Sequence, residues 1–140
     1  MIEELGAAFV YASALAFGLV VGSFLNVAIH RLPLGESVVS PRSRCPGCDR
    51  AISARDNIPV LSYLLLGGKC RGCGQAISIR YPIVELLTGF LFVASVWGAG
   101  PTLMGLVLMC FSSAMVVAAF VDFDHQIIPD EISLGGLVVG

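Results

Sequence analysis

A chain of 140 residues that is 56% hydrophobic and only 13% charged is too apolar for an ordinary water-soluble domain. Its net charge of −2 hides a lopsided distribution. All eight Arg and Lys lie between Arg31 and Arg80, against Glu36, Asp49 and Asp56, so that segment nets +5 while every other acid lies outside it. The pattern fits a membrane protein whose basic loop stays in the cytoplasm. A nucleic-acid surface is the competing reading of the +5, and no nucleic-acid partner is expected from a short loop tethered to a bilayer.

Leu5 to Ile29 is an uncharged apolar run, long enough to cross a hydrocarbon core of about 30 Å. Glu3 and Glu4 precede it, so the start lacks the basic region of a cleavable leader and is expected outside. Gly18 and Gly22 are four apart and can bring a second helix close, either another span of this chain or a second copy. Asn26 either bonds to a neighbouring helix or reaches the interface. His30-Arg31 marks the exit, and Pro33 ends the helix.

The loop that follows carries two Cys-x-x-Cys knuckles, Cys45/Cys48 and Cys70/Cys73, separated by 21 residues. Four such sulfurs suit one closed tetrahedral zinc site. Gly47 and Gly72 are expected to permit the tight turns, and Arg44, Lys69 and Arg71 to favour thiolates. Two disulfides or a redox pair are the alternatives, disfavoured by the two-residue loops and a reducing compartment. Between the knuckles, Ile58 to Leu66 is apolar but too short to span. It is either the small core of a zinc module or a segment against the membrane interface.

A second span is predicted from Tyr81-Pro82 to about Trp97, with both aromatics as interfacial anchors. Glu85 lies one turn in and is expected to pair with Arg80 or to serve as a helix N-terminal charge. Gly98-Ala-Gly-Pro101 forms a turn, and a third span runs from Thr102 to about Val121. Cys110, alone in that span, reads as packing. An acidic cluster, Asp122, Asp124, His125 and Asp130, comes next. Asp130 reads as an N-cap, with Glu131 in the first turn, for a fourth apolar stretch of nine residues, Ile132 to Gly140. Nine residues cannot span, so the chain is expected to be a piece of a longer protein.

The expected fold is an all-α polytopic membrane protein: three transmembrane helices, the start of a fourth, and a small cytoplasmic zinc-ribbon-like four-Cys loop. The division is 1–30 as the first helix, 31–80 as the zinc module and 81–140 as the beginning of a further membrane domain. Catalytic options are few. No Ser-His-Asp set is evident, and two carboxylates sharing a proton could hydrolyse a peptide bond. Asp122 and Asp124 are two apart and diverge on a helix, so they make a poor dyad without a carboxylate from elsewhere. A polar turn at the membrane surface is the plain alternative for this cluster.

Gly22-Ser-Phe-Leu-Asn-Val27, His30-Arg-Leu-Pro33, Ser43-Arg-Cys-Pro-Gly-Cys48, Asp56-Asn-Ile-Pro-Val-Leu-Ser62, Cys70-Arg-Gly-Cys73 and Ile77-Ser-Ile-Arg-Tyr-Pro-Ile-Val-Glu85, in this order, resemble the bacterial type IV prepilin peptidases. The resemblance covers essentially the whole chain. It implies a multi-pass inner-membrane aspartic protease that cuts the leader from type IV prepilins, or from pseudopilins of type II secretion, on the cytoplasmic side. It also implies N-methylation of the new amine with S-adenosylmethionine. By motif, the resemblance implies that the first catalytic aspartate is Asp122, separated from Pro129 by the six residues Phe123 to Ile128. The family's second aspartate belongs to a Gly-x-Gly-Asp motif, which these 140 residues lack. The chain alone is therefore expected not to cleave. Zinc at Cys45, Cys48, Cys70 and Cys73 is expected to support methylation or substrate handling. A non-catalytic zinc module that docks pilus or secretion components is the runner-up, and a membrane thiol–disulfide carrier the third reading. Lipid is an expected partner, as is self-association through the small-residue helix faces.

Overall fold

The three long apolar stretches form helices because nothing in them interrupts the backbone ladder. A computed structural model of the chain describes residues 2–125; Pro129, Asp130, Glu131 and the fourth apolar stretch lie outside the described residues. Helix α1 spans Ile2–Arg31 and passes into a short 3-10 turn at Leu32–Leu34, where Pro33 stops it. A loop follows, with a one-turn 3-10 helix at Ala54–Asn57 and a short α2 at Leu61–Leu65. Helix α3 is Arg80–Ala99 and α4 is Leu103–His125. The described residues contain isolated bridges but no named strand, and three helices long and apolar enough to cross a membrane.

Helices α1 and α3 run antiparallel in tight register. Gly18, Gly22 and Asn26, one per turn of α1, meet Gly89, Glu85 and Tyr81 of α3. A Cβ added at Gly18 would lie 2.7 Å from Gly89 Cα, and one at Gly22 2.7 Å from Glu85 Cα and 3.1 Å from Val84 O. The small pair thus serves another span of the same chain. Of the two partners the spacing allowed, another span or a second copy, α3 of the same chain fills this face. Asn26 is buried and its Nδ2 donates to Tyr81 O at 3.0 Å, so it bonds to the neighbouring helix rather than reaching the interface.

These contacts are backbone contacts and cannot yield by a rotamer change. Gly22→Ala is expected to destabilise the bundle by about 1–3 kcal/mol, the usual cost of overpacking. Gly6→Ala, with nothing within 4 Å of its new Cβ, should be neutral or slightly stabilising. Denaturation midpoints in one detergent decide; equal effects would mean the helices do not share this register.

Helix α4 completes the bundle after a turn at Gly100–Thr102, where Gly100 has φ +69°. Leu25, Ala28 and Ile29 of α1, Val84 of α3, and Val116, Val117 and Val121 of α4 form a buried core toward one end. The opposite faces carry exposed Phe9, Phe24, Phe90, Phe111 and Leu103. Large apolar side chains on the outside suit a bundle solvated by lipid. The buried hydroxyls of α3 are satisfied within their own helix: Thr88 Oγ1 donates to Val84 O and Ser95 Oγ to Leu91 O, both at 2.8 Å.

Candidate functional site

The four cysteines come together at the end of the bundle where α1 stops and α3 starts. The two knuckles are built alike. Cys45 N–H donates to Arg50 O, and Asp49 N–H to Cys45 O. Cys70 N–H donates to Gln75 O, and Gly74 N–H to Cys70 O, repeating the same offsets. Antiparallel bridges, Arg44 with Ala51 and Lys69 with Ala76, close each knuckle in the same way. The left-handed residue falls just after each second cysteine, at Asp49 (φ +54°) and Gly74 (φ +73°). It does not fall at Gly47 or Gly72, as the sequence suggested. Aspartate is among the few non-glycine residues that tolerate this region. A Cβ at Gly47 would run into the side-chain amide of Gln75, whereas one at Gly72 would lie 3.3 Å from Arg50 Nη1 and in ordinary contact, 3.5 Å, with Cys48 Sγ.

The sulfurs lie within 4.8 Å of one another, with Cys45–Cys73 at 3.7 Å and Cys48–Cys70 at 4.0 Å. A tetrahedral ion with metal–sulfur bonds of about 2.3 Å would set its sulfurs about 3.8 Å apart. All four are free thiols rather than disulfides. The cluster therefore fits a metal ion. Its protonation shows why an ion suits it. The N–H groups of Cys73 and Gly72, followed by the Cys45 thiol, donate to Cys70 and lower it to about 6. Cys73 accepts a lowering bond from Gln75 N–H, yet desolvation and the sulfurs of Cys45, Cys48 and Cys70 outweigh it and push Cys73 up to about 11. Four thiolates repel one another unless a cation sits among them. Two of the three cations expected to favour thiolates are engaged with carboxylates instead. Arg44 pairs with Asp49 at 3.3 Å, and Arg71 grips Asp56 with Nε and Nη2, the latter at 2.8 Å. That pairing holds the Asp56 carboxyl below its ordinary range.

The segment between the knuckles is a joint, not the core of the module. Leu61, Leu64 and Leu65 of α2 are exposed, and Ser62 is the buried residue. Ser62 Oγ donates to Arg55 O at 2.8 Å and accepts from Ile58 N–H at 2.9 Å. Ser62→Ala orphans both groups and is expected to cost about 1–3 kcal/mol. Faster amide exchange at Ile58 would report it; unchanged exchange would rule the bond out as a tether.

Glu85 departs most from expectation. It pairs with neither Arg80 nor its own helix start. It is buried, and its Oε2 accepts the N–H of Val60 at 2.7 Å, fastening the loop to α3. Arg80 instead forms an ion pair with Asp124 of α4 and lies over the Phe120 ring, 5.4 Å from its centroid. The acidic cluster is thus helical as far as it is described: Asp122, Phe123 and Asp124 are in the last turns of α4, not in a polar turn. Asp124 is engaged. Asp122 is exposed and, among the described residues, has no hydrogen bond or ion pair. Asp130 lies outside the described residues. Arg31, also at this end, folds the loop back by donating to Ser37 O at 2.8 Å and Pro41 O at 2.7 Å.

Every motif segment singled out in the sequence thus meets at one end of the bundle. Residues 16–99 match the bacterial peptidase A24 N-terminal domain. The chain belongs to this family. It is 50% identical over 123 residues to the prepilin leader peptidase/N-methyltransferase of Myxococcus xanthus (strain DK1622), covering 88% of this chain and 37% of that protein. It is 43% identical over 143 residues to a type 4 prepilin-like proteins leader peptide-processing enzyme of Escherichia coli O78:H11, covering 88% and 52% respectively. A prepilin leader peptidase/N-methyltransferase of Klebsiella pneumoniae is 44% identical over 135 residues, covering 90% and 56%. The chain thus spans between about a third and about a half of the length of these relatives. No solved structure matches it.

Val60 ties the module to the bundle through Glu85, Ser62 braces the loop beside it, and Asn26 and the Asp124–Arg80 pair join the helices to one another. Local pattern did not single out these partners. An uncompensated acid inside a span, Glu85, was the one signal that pointed toward the tie.

Proposed function

We propose that this A24-family chain is the amino-terminal region of an inner-membrane aspartic endopeptidase that removes prepilin or pseudopilin leaders and N-methylates the new terminus. Its membrane domain begins in residues 81–140, after the first helix (1–30) and the module (31–80). The names of its relatives and the Gly22–Glu85 motifs support this reading. The observation that carries it is the division of labour at the end of α4: Arg80 engages Asp124 and leaves Asp122 exposed at the module end. The +5 charge of residues 31–80 supports a cytoplasmic position for that end, with the N-terminus outside.

Asp122 is the first member of a proton-sharing aspartate pair. One carboxylate takes a proton from water as the water oxygen attacks the carbonyl carbon of the leader's last residue. The other carboxyl donates to the carbonyl oxygen; the C–N bond then breaks and the amine leaves with a proton. The partner aspartate comes from a Gly-x-Gly-Asp motif beyond these residues, so the 140 residues alone do not cleave. The four sulfurs hold zinc in a structural role, for which closed four-thiolate sites are suited. S-adenosylmethionine supplies the methyl group that the freed amine accepts.

A cleavage assay on purified prepilin, read by mass spectrometry, tests the reading in membranes carrying the 140 residues and in membranes carrying a version extended through a Gly-x-Gly-Asp helix. Leader loss with the extended protein alone is expected, with a further gain of one methyl mass when S-adenosylmethionine is added. No cleavage by a folded extended protein would favour a membrane-tethered zinc module that docks pilus or secretion components. Cleavage by the 140 residues would move the second aspartate to Asp124 or Asp130.

A further inference from the structure

Pro59–Val60–Leu61 is bent in a way that needs an explanation. Val60 has φ +60° and ψ −49°, and Leu61 N–H bonds back to Pro59 O, which makes a γ-turn with positive φ. This turn is rare and strained, and a β-branched residue is a poor occupant of it. The strain is held from outside, because the Val60 N–H is the group that Glu85 accepts from α3. Strain that surrounding structure over-determines usually serves a purpose. Here the turn aims α2.

Two bonds fix where α2 lies. At its start Val60 is tied to Glu85, the sixth residue of α3. Just past its end, Gly68 O accepts Ile77 N–H at 2.7 Å, three residues before α3 begins. The short helix therefore runs back along the first turn of a membrane span. Leu61, Leu64 and Leu65 have helical i, i+3, i+4 spacing and lie on one face. They are 50%, 67% and 76% exposed. Ile58 just before α2, Ile79 just before α3, and Tyr81 and Ile83 in the first turn of α3 are also exposed, so apolar side chains are uncovered both on α2 and at the start of the span it is tied to. Exposed Arg55 and Lys69 flank α2 in the sequence. Apolar side chains below and cations beside them are what the headgroup boundary of an anionic leaflet accepts.

We infer that α2 is a membrane-surface wedge: the Glu85–Val60 bond presses Leu61, Leu64 and Leu65 into the leaflet on the module side, seating the four-sulfur module on the lipid. The occupant of this face is lipid, because both ends of α2 are tied to the start of a membrane span whose own first turn exposes apolar side chains and because cations flank it. The inference rests on the membrane bundle and not on peptidase activity. Glu85 acts as a positioning residue.

The test uses the full chain with Trp97→Phe, so that one introduced indole reports. Leu64→Trp is placed in nanodiscs of phosphatidylethanolamine and phosphatidylglycerol with bromine near the ester end of the acyl chains. Blue-shifted emission that loses most of its intensity to the brominated lipid is expected. Adding Glu85→Ala should shift the emission red and restore intensity, whereas Glu85→Gln, which keeps an accepting oxygen, should not. Water-like emission with no quenching would overturn the wedge. Blue-shifted emission without quenching would overturn it too, since protein would then cover the face. Quenching that survives Glu85→Ala in protein still holding its metal would remove Glu85 from the positioning role.

Discussion

Removing the metal is expected to unfold the loop while leaving the three long helices in place. The module has almost nothing else to hold it. Of its four sulfurs only Cys45 is buried, its bridges are isolated, and the leucines of α2 face outward. An apolar core too small to offset chain entropy leaves the metal–thiolate bonds as the main source of stability. Structural zinc in small peptide modules contributes about 10–16 kcal/mol at neutral pH, far more than a single hydrogen bond or surface pair can. Chelation, or Cys45→Ser, should therefore speed amide exchange across residues 43–77 and make the knuckle thiols reactive. Protection within α1, α3 and α4 should persist. The joint at Glu85 would loosen with the module, because Val60 belongs to it. Metal uptake should release protons and weaken as pH falls, since thiols must ionise to bind. Unchanged exchange after chelation, with no metal in the purified protein, would sink the metal site. Freely reactive thiols in untreated protein would favour the thiol–disulfide carrier.

Asp122→Asn in the extended protein should reduce leader cleavage by about 10²–10⁴-fold, the range for losing an acid–base group. The substitution is nearly isosteric and the position is exposed, so the bundle should keep its stability. Asp124→Asn provides the contrast. It weakens the bond to Arg80, whose partner is otherwise the Phe120 ring. Since this pair joins α3 to the end of α4 without being sealed from solvent, its loss should cost little stability and less than tenfold in rate. The ratio of the two effects is the informative number. A larger loss with Asp124→Asn would make Asp124 the proton-handling group and Asp122 the bystander. Methylation of pre-cut pilin should survive Asp122→Asn, which separates loss of the protease from loss of the fold.

Much of this protein could be read directly from residue order. Span lengths follow from uninterrupted apolar runs, because a backbone in lipid must satisfy its own hydrogen bonds and so becomes helical. Observed helix ends lie within a few residues of those expected: α1 stops before Pro33, and α3 exceeds the predicted span by one residue at the start and two at the end. The four-sulfur cluster followed from the two knuckles, since cysteine spacing within each knuckle is a local property. Partner choice was not local. Arg80 has Glu85 five residues away but takes Asp124, 44 residues away, because Glu85 turns to the buried face between α1 and the loop. Gly22 was read as a helix-packing residue; its partner, α3 of the same chain, required the bundle. The Ile58–Leu66 run had two open fates, and only the bond from Glu85 to Val60 decided that its leucines face outward.

Residue order by itself determined three apolar helices, a basic loop and four metal-competent thiols, because each depends on neighbours within a few residues. Tertiary structure alone decided which polar groups survive next to lipid. Asn26 and Glu85 are tolerable in burial only when a particular backbone group from a distant segment arrives to bond them. No local pattern records that arrival.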